Sequence, residues 1–274
     1  LMPTLYNWIA ENVDDKDIKY VIGLGDIVES NKETRDYEWD VATEQLERIT
    51  AAGLNQSIIR GNHDRVSYYD DHITVEKFGK DLDGYYNEMK NTYRLITISG
   101  VKYMMLTLDL FASDDEVAWA EEVIKAHPDY NVILTTLGYF NHGKNDYALI
   151  DRVDATWTEE NTSEAAELAN SGEEIFDKLV NKYSNIVLVM CGHRYPPDNG
   201  PNYIITERAD GSKVMQMMIN PQKHESDEGR SFGMLAMLYF SEDGKNVQLE
   251  YFSTINGMFY KDKFQFSFEL DLVD

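Results

Sequence analysis

The sequence predicts an α/β fold, and three observations predict it. In the first two thirds, apolar runs of strand length alternate with stretches of helical spacing, the pattern of a sheet covered by helices. Three of those runs, "VIGLGDIVES" (21–30), "IIRGNHDR" (58–65) and "LVMCGHRY" (188–195), stop at glycine and then present metal-binding or acid–base side chains. From about residue 201 the pattern changes to hairpins, with Asp-Gly pairs at 210–211 and 243–244 between apolar runs.

Taken in order, "PTLYNWIAENV" has helical spacing with Pro3 suited to a first turn, and "IKYVIGLGDIV" reads as a buried parallel strand. "DVATEQLERITAAG" predicts a helix from Asp40 closed by Gly53, followed by the strand "NQSIIRGNHD". "NTYRLITISGVKYMMLTLDL" predicts two strands about a Ser-Gly turn. "SDDEVAWAEEVIKAHPD" predicts a helix capped at Ser113 and stopped before Pro128. "NVILTTLGYF" is another buried strand. Residues 138–171 are polar and read as a surface insertion, before the helix "GEEIFDKLVNKYSN" and the strand "IVLVMCGHRY".

The chain has 274 residues, of which 43% are hydrophobic and 12% aromatic, enough for a sizeable core. With no Gly/Ser linker and no internal repeat, the reading is a single domain over 1–274. Residues 1–200 form its α/β part, and 201–274 a hairpin-rich part expected to build a second sheet. A formal net charge of −24 argues against nucleic acid or an anionic membrane surface as partner. No apolar stretch approaches the ~20 residues of a membrane span. The single cysteine, Cys191, lies in an apolar run and reads as a core residue, which leaves the compartment open. The opening "LMPTLYNWIAEN" reads as the interior of an amphipathic helix, so either upstream sequence has been removed or the gene product is short.

Asp26, Glu29, Asn62, His63 and His193 are the candidate functional residues. Each follows a buried strand that ends in glycine, and ligands in open α/β sheets collect at that end. Imidazole nitrogen, carboxylate and amide oxygen together suit a divalent cation. Cys191, His72, His127 and His224 have ordinary structural or surface readings.

"GDIVE", "GNHD" and "GHRY", in this order and separation, resemble the motifs of the calcineurin-like metallophosphoesterase family over nearly the whole chain. The resemblance implies a four-layer α/β/β/α sandwich with two divalent metals (Mn, Zn or Fe) at the strand ends and a small phosphoester as substrate. By motif, Asp26 bridges the metals, while Asn62 and His193 bind the second. His63 is the general acid and Glu29 its orienting partner.

Three departures stand against the pattern. The family's N-terminal Asp-x-His, on a first strand before the first helix, is missing from this sequence. Its lone histidine is Leu137, and the last histidine of Gly-His-x-His is Tyr195. His142 is the nearest potential substitute, though its spacing reads as that of a surface-loop histidine. At most one metal position keeps a ligand set. The residues leave two readings: a metal-dependent phosphoester hydrolase with a weakened or inactive centre, or a non-catalytic binding or scaffold domain that retains the fold, with a partner protein among its possible ligands. A gap is expected beside the strand that ends at Asp26.

Overall fold

The computed structural model describes residues 2–29, 36–140, 169–194, 200–221 and 233–273. His142, Tyr195, His224 and most of the 138–171 insertion lie outside the described residues.

Helix α1 (Met2–Glu11) leads through strand β1 (Tyr20–Gly23) and helix α2 (Asp36–Ala51) to strand β2 (Asn55–Ile58). β1 and β2 run parallel, with Val21 opposite Gln56 and Gly23 opposite Ile58. α2 begins at Asp36 rather than Asp40. Asp36 and Glu38 occupy its first turn, where carboxylates suit the positive helix end. Gly53, at φ +79°, takes the left-handed conformation that ends the helix. Two short helices follow, α3 (Val66–His72) and α4 (Val75–Phe78), which no clear periodicity announces.

Strands β3 (Gly84–Tyr86), β4 (Asn91–Ile98) and β5 (Val101–Thr107) come next. The β4–β5 turn places Ser99 at φ 51° and Gly100 at φ 83°, two consecutive left-handed residues as a tight hairpin requires. Helix α5 (Asp114–Ala126) opens with a capping box. The Ser113 hydroxyl accepts the Glu116 N–H, and the Glu116 carboxylate accepts the Ser113 N–H. Strand β6 (Asn131–Thr135) follows. Helix α6 (Gly172–Ile175), capped the same way by Ser171 and Glu174, runs on as a π-helical turn over Phe176–Val180. Then come β7 (Ile186–Cys191), β8 (Asn202–Glu207), β9 (Lys213–Met218), β10 (Met234–Phe240), β11 (Asn246–Ser253), β12 (Met258–Phe259) and β13 (Phe266–Glu269).

Among the described residues these strands form three sheets. The largest has seven strands in the order β3-β4-β5-β6-β7-β9-β8, with β5, β6, β7 and β9 parallel to one another. β10 and β11, with β12 and β13 both paired to β11, form the second. β1 and β2 form the third, and among the described residues β1 pairs with β2 alone. The hairpin β8–β9, expected in the second sheet, joins the first. The physical reason is β9 itself, whose residues Val214–Met218 are all buried and therefore need sheet neighbours on both sides.

The seven-stranded sheet is apolar on both faces. One face, with Met104, Leu106, Val132 and Leu134, packs on Val117, Ala120 and Ile124 of α5 and on Leu179 and Val180. The other, with Met105, Ile133, Met190 and Met217, packs on Leu249, Tyr251 and Phe268. Helices α1 and α2 pack on the opposite side of β1, where Ile9, Ile49, Val21 and Leu235 share a cluster. No described helix is long and apolar enough to cross a membrane.

Candidate active site

Three loops meet beyond the carboxyl ends of β1, β2 and β7. The first turns at Gly25 (φ +92°) and presents Asp26, itself left-handed at φ 53°. The second crosses it at Gly61, where an added Cβ would lie 2.2 Å from the Asp26 nitrogen and Oδ1. Only glycine permits that approach. The Asp26 Oδ1 accepts the His63 N–H at 3.2 Å.

Asp64 locks the two loops together. Fully buried, it accepts the N–H groups of Ile27 (3.0 Å), Val28 (3.0 Å) and Gly61 (2.8 Å). Burial pushes its carboxyl up to about 6, against the three N–H donors that favour the charged form. Burial also raises Asp26, opposed chiefly by the N–H and the charge of His63.

His63 Nδ1 lies 2.7 Å from the backbone carbonyl of Glu29. A carbonyl only accepts, so Nδ1 carries the proton and Nε2 is the nitrogen left for chemistry. Partial burial lowers the pKa of this imidazole, but the Glu29 carbonyl and the charges of Asp26, Glu29 and Asp64 outweigh it and leave it raised. Glu29 therefore touches His63 through its main chain. Its side chain is exposed, and its own N–H is held by Glu38 at 3.1 Å.

The third loop brings His193 in at φ 64°, with Nδ1 2.9 Å from the Asn62 Oδ1. The Phe111 ring, from another left-handed residue (φ 51°), stands edge-on to the imidazole at 6.2 Å. Asp26, His193 and Phe111 thus hold strained backbone in one place, at a cost of about 1–3 kcal/mol each.

Asp26, Asn62, His63 and His193 converge, as expected. Asp26, Asn62 and His193 offer one carboxylate, one amide oxygen and one imidazole, a set that fits a single divalent cation. No three His, Cys, Asp or Glu side chains gather as a ligand group among the described residues. Leu137, just past β6, is 2% exposed and clusters with Ile59, Leu110, Phe111 and Ala169. Its Cδ1 would lie 3.0 Å from a Cβ on Gly25 and 3.2 Å from one on Gly192, so it wedges between the first and third loops. His72 stacks on Trp39 and His127 bonds the Val123 carbonyl, each in a structural role outside this cluster.

Two structural features of the site escape the sequence reading. One is Asp64. The other is a buried pair, in which Arg60 Nε donates to Asp109 Oδ1 at 2.8 Å and Arg60 Nη2 to Oδ2 at 3.1 Å. It ties the second loop to the end of β5. The available signal was a lone charge inside each of two apolar runs, "SIIRG" and "LTLDL", with opposite signs.

The site opens into a cleft of about 920 Å³ lined by Asp26 and His193 at one end and by α1, β1 and β10 along its length. Residues 2–197 match the family model of the calcineurin-like phosphoesterases. The uncharacterized protein YvnB of Bacillus subtilis (strain 168) is 25% identical over 283 residues, a match covering 97% of this chain and 20% of that protein. The chain thus spans about a fifth of the length of that curated relative. The crystal structure of a dimetal phosphatase from Danio rerio is similar in fold, with a TM-score of 0.53 at 11% identity, over 91% of this chain and 85% of that one.

Proposed function

The chain belongs to the calcineurin-like phosphoesterase family, and from that premise we propose that it is a phosphoester hydrolase domain whose own centre holds at most one divalent cation and hydrolyses weakly or not at all. The observation that carries this reading is Leu137. An apolar side chain wedged between Gly25 and Gly192 offers no donor atom and fills space between two of the three motif loops. Asp26, Asn62 and His193 would hold the one cation, of the Mn, Zn or Fe class, which when bound supplies Lewis acidity toward a phosphoryl oxygen.

The chain's own residues then have defined tasks. His63 is the general acid, with Nδ1 fixed on the Glu29 carbonyl so that Nε2 delivers the proton to a leaving oxygen. Its raised pKa favours the protonated form that this task needs. Gly61 allows the close approach of the loops, and Asp64 holds them in register. The substrate class is a small phosphoester. Against it stands a chain of 49 acidic and 25 basic side chains, whose field repels an incoming dianion. The same Leu137, with Tyr195 in place of the last motif histidine, supports the second reading, a non-catalytic binding or scaffold domain that retains the fold.

Metal analysis of protein purified without chelator, paired with turnover of an aryl phosphate in millimolar manganese or zinc, tests the proposal. One equivalent of metal or none, with turnover near the metal-only background, is the expected result. Two equivalents with turnover abolished by Asp26→Ala would refute it. Zero metal together with no gain from Leu137→His and Tyr195→His, made in a protein that also carries an upstream Asp-x-His, favours the non-catalytic binding or scaffold reading.

A further inference from the structure

Ten consecutive residues, 251–260, carry no charge in a chain of which 27% of residues are charged. They run from the end of β11 through a turn into β12, and hydrogen bonds define that turn. The Thr254 N–H and hydroxyl both donate to the Gly233 carbonyl at 2.9 Å. The Gly257 N–H donates to the Ser253 carbonyl at 2.9 Å, and the Asn256 N–H to the Ser253 hydroxyl at 3.1 Å. Gly257, at φ +63°, supplies the left-handed residue. Residues 255–259 are nevertheless all exposed, and three of them are large and apolar: Ile255 (50%), Met258 (65%) and Phe259 (53%). Successive strand residues point to opposite faces. Met258 and Phe259 are neighbours in β12, so the exposure of both means that the hairpin stands clear of the body on either face.

The root of the hairpin is aromatic and basic. Phe259 lies edge-on to Phe252 at 5.5 Å, and Phe252 meets Trp8 of α1 at 4.9 Å. The first charges after the tip are Lys261 and Lys263, with Asp262 between them. Lys261 Nζ lies 5.0 Å from the Tyr260 ring and 5.4 Å from that of Phe264, and Lys263 Nζ lies 4.8 Å from Phe264. Both ammonium groups are thus gathered over rings at the base of an apolar tip. A protein partner needs about 20–30 residues a side for a stable interface, and this tip presents five. A second copy would also bring a second net charge of −24 to the contact. A bilayer needs no complementary surface of that size. Its interior accepts bulky apolar side chains, its interface favours aromatic rings, and its phosphates face the two lysines. The charge of the whole chain disfavours a surface rich in anionic lipid and leaves one of zwitterionic headgroups.

We propose that the β11–β12 hairpin docks the protein on the surface of a zwitterionic phospholipid bilayer. Ile255, Met258 and Phe259 enter the boundary between headgroups and acyl chains, and Lys261 and Lys263 stay at the level of the phosphates. The depth is that of an interfacial anchor, about 5–10 Å, and the binding is reversible. Such docking requires nothing of the reaction proposed above.

Co-sedimentation of the protein with sucrose-loaded phosphatidylcholine vesicles tests this. The wild type sediments with the vesicles, and the double variant Ile255→Ser, Met258→Ser binds at least tenfold more weakly. Both side chains are exposed, so the double variant folds, which an unchanged unfolding midpoint checks. Ile205→Ser, at a comparably exposed apolar position on β8, binds as the wild type does. In Met258→Trp, the added emission shifts to the blue on vesicles and is quenched by lipids brominated on their acyl chains. Absence of the wild type from the vesicle pellet overturns the proposal, as does equal binding by the double variant or a matching loss in Ile205→Ser. Self-association seen by analytical ultracentrifugation, abolished in the double variant while vesicles bind neither protein, also overturns it and makes the tip a contact between copies.

Discussion

At the scale of single residues, the site is held by contacts that tolerate little change. Gly61→Ala places a Cβ 2.2 Å from Asp26, against its backbone nitrogen and Oδ1, so the first loop must move. The expected cost is about 1–3 kcal/mol, the range for an overpacked position, measured by denaturant unfolding with an unchanged m-value. Asp64 predicts a pH dependence whose sign follows from its environment. Its folded pKa is raised from 3.8 to about 6, so its contribution to stability is complete below pH 3.8 and is lost as pH rises through 6. The stability advantage of the wild type over Asp64→Asn should shrink by roughly 2 kcal/mol between pH 4 and pH 8. A gap that widens over that range would show that the three N–H donors outweigh burial.

At the scale of elements, the helices are set by their first turns. Ser113 caps α5, and its neighbour Ala169 bridges to it from the far side of the insertion. Ser113→Ala removes the acceptor for the Glu116 N–H and should cost about 1 kcal/mol, read as a shift in unfolding midpoint. The effect should reach beyond α5. Glu116 also accepts from Asn87 and Asn91, and Asn91 in turn holds the Asp109 N–H that positions the partner of Arg60. The capping residue of one helix is thus linked by hydrogen bonds to the second motif loop.

At the scale of the whole molecule, a net charge of −24 makes self-repulsion a standing cost to the compact state. Salt shortens the reach of that repulsion to about 8 Å at physiological ionic strength. Raising sodium chloride from low to moderate concentration should therefore raise Tm, by roughly 2–4 °C for each kcal/mol of repulsion relieved. A Tm that falls with salt would mean that the surface ion pairs, such as Lys102–Asp129 and Lys245–Glu269, outweigh the net charge.

What the sequence determined by itself is the local grammar. The apolar runs became strands, the Ser-Gly turn became the β4–β5 hairpin, and Ser113 became a cap, because each depends on neighbours a few residues away. The convergence of Asp26, Asn62, His63 and His193 was legible for a related reason: each follows the carboxyl end of an apolar strand that stops at glycine, and the loops after β1, β2 and β7 meet. Tertiary structure alone decided the rest. It set Glu29 against His63 through a carbonyl, since main-chain contacts leave no mark on residue identity. It placed β9 beside β7, a choice made by burial on both faces. It buried Asp64, paired Arg60 with Asp109 and pressed Leu137 between two glycines, because these contacts join segments far apart in the chain and are selected by packing.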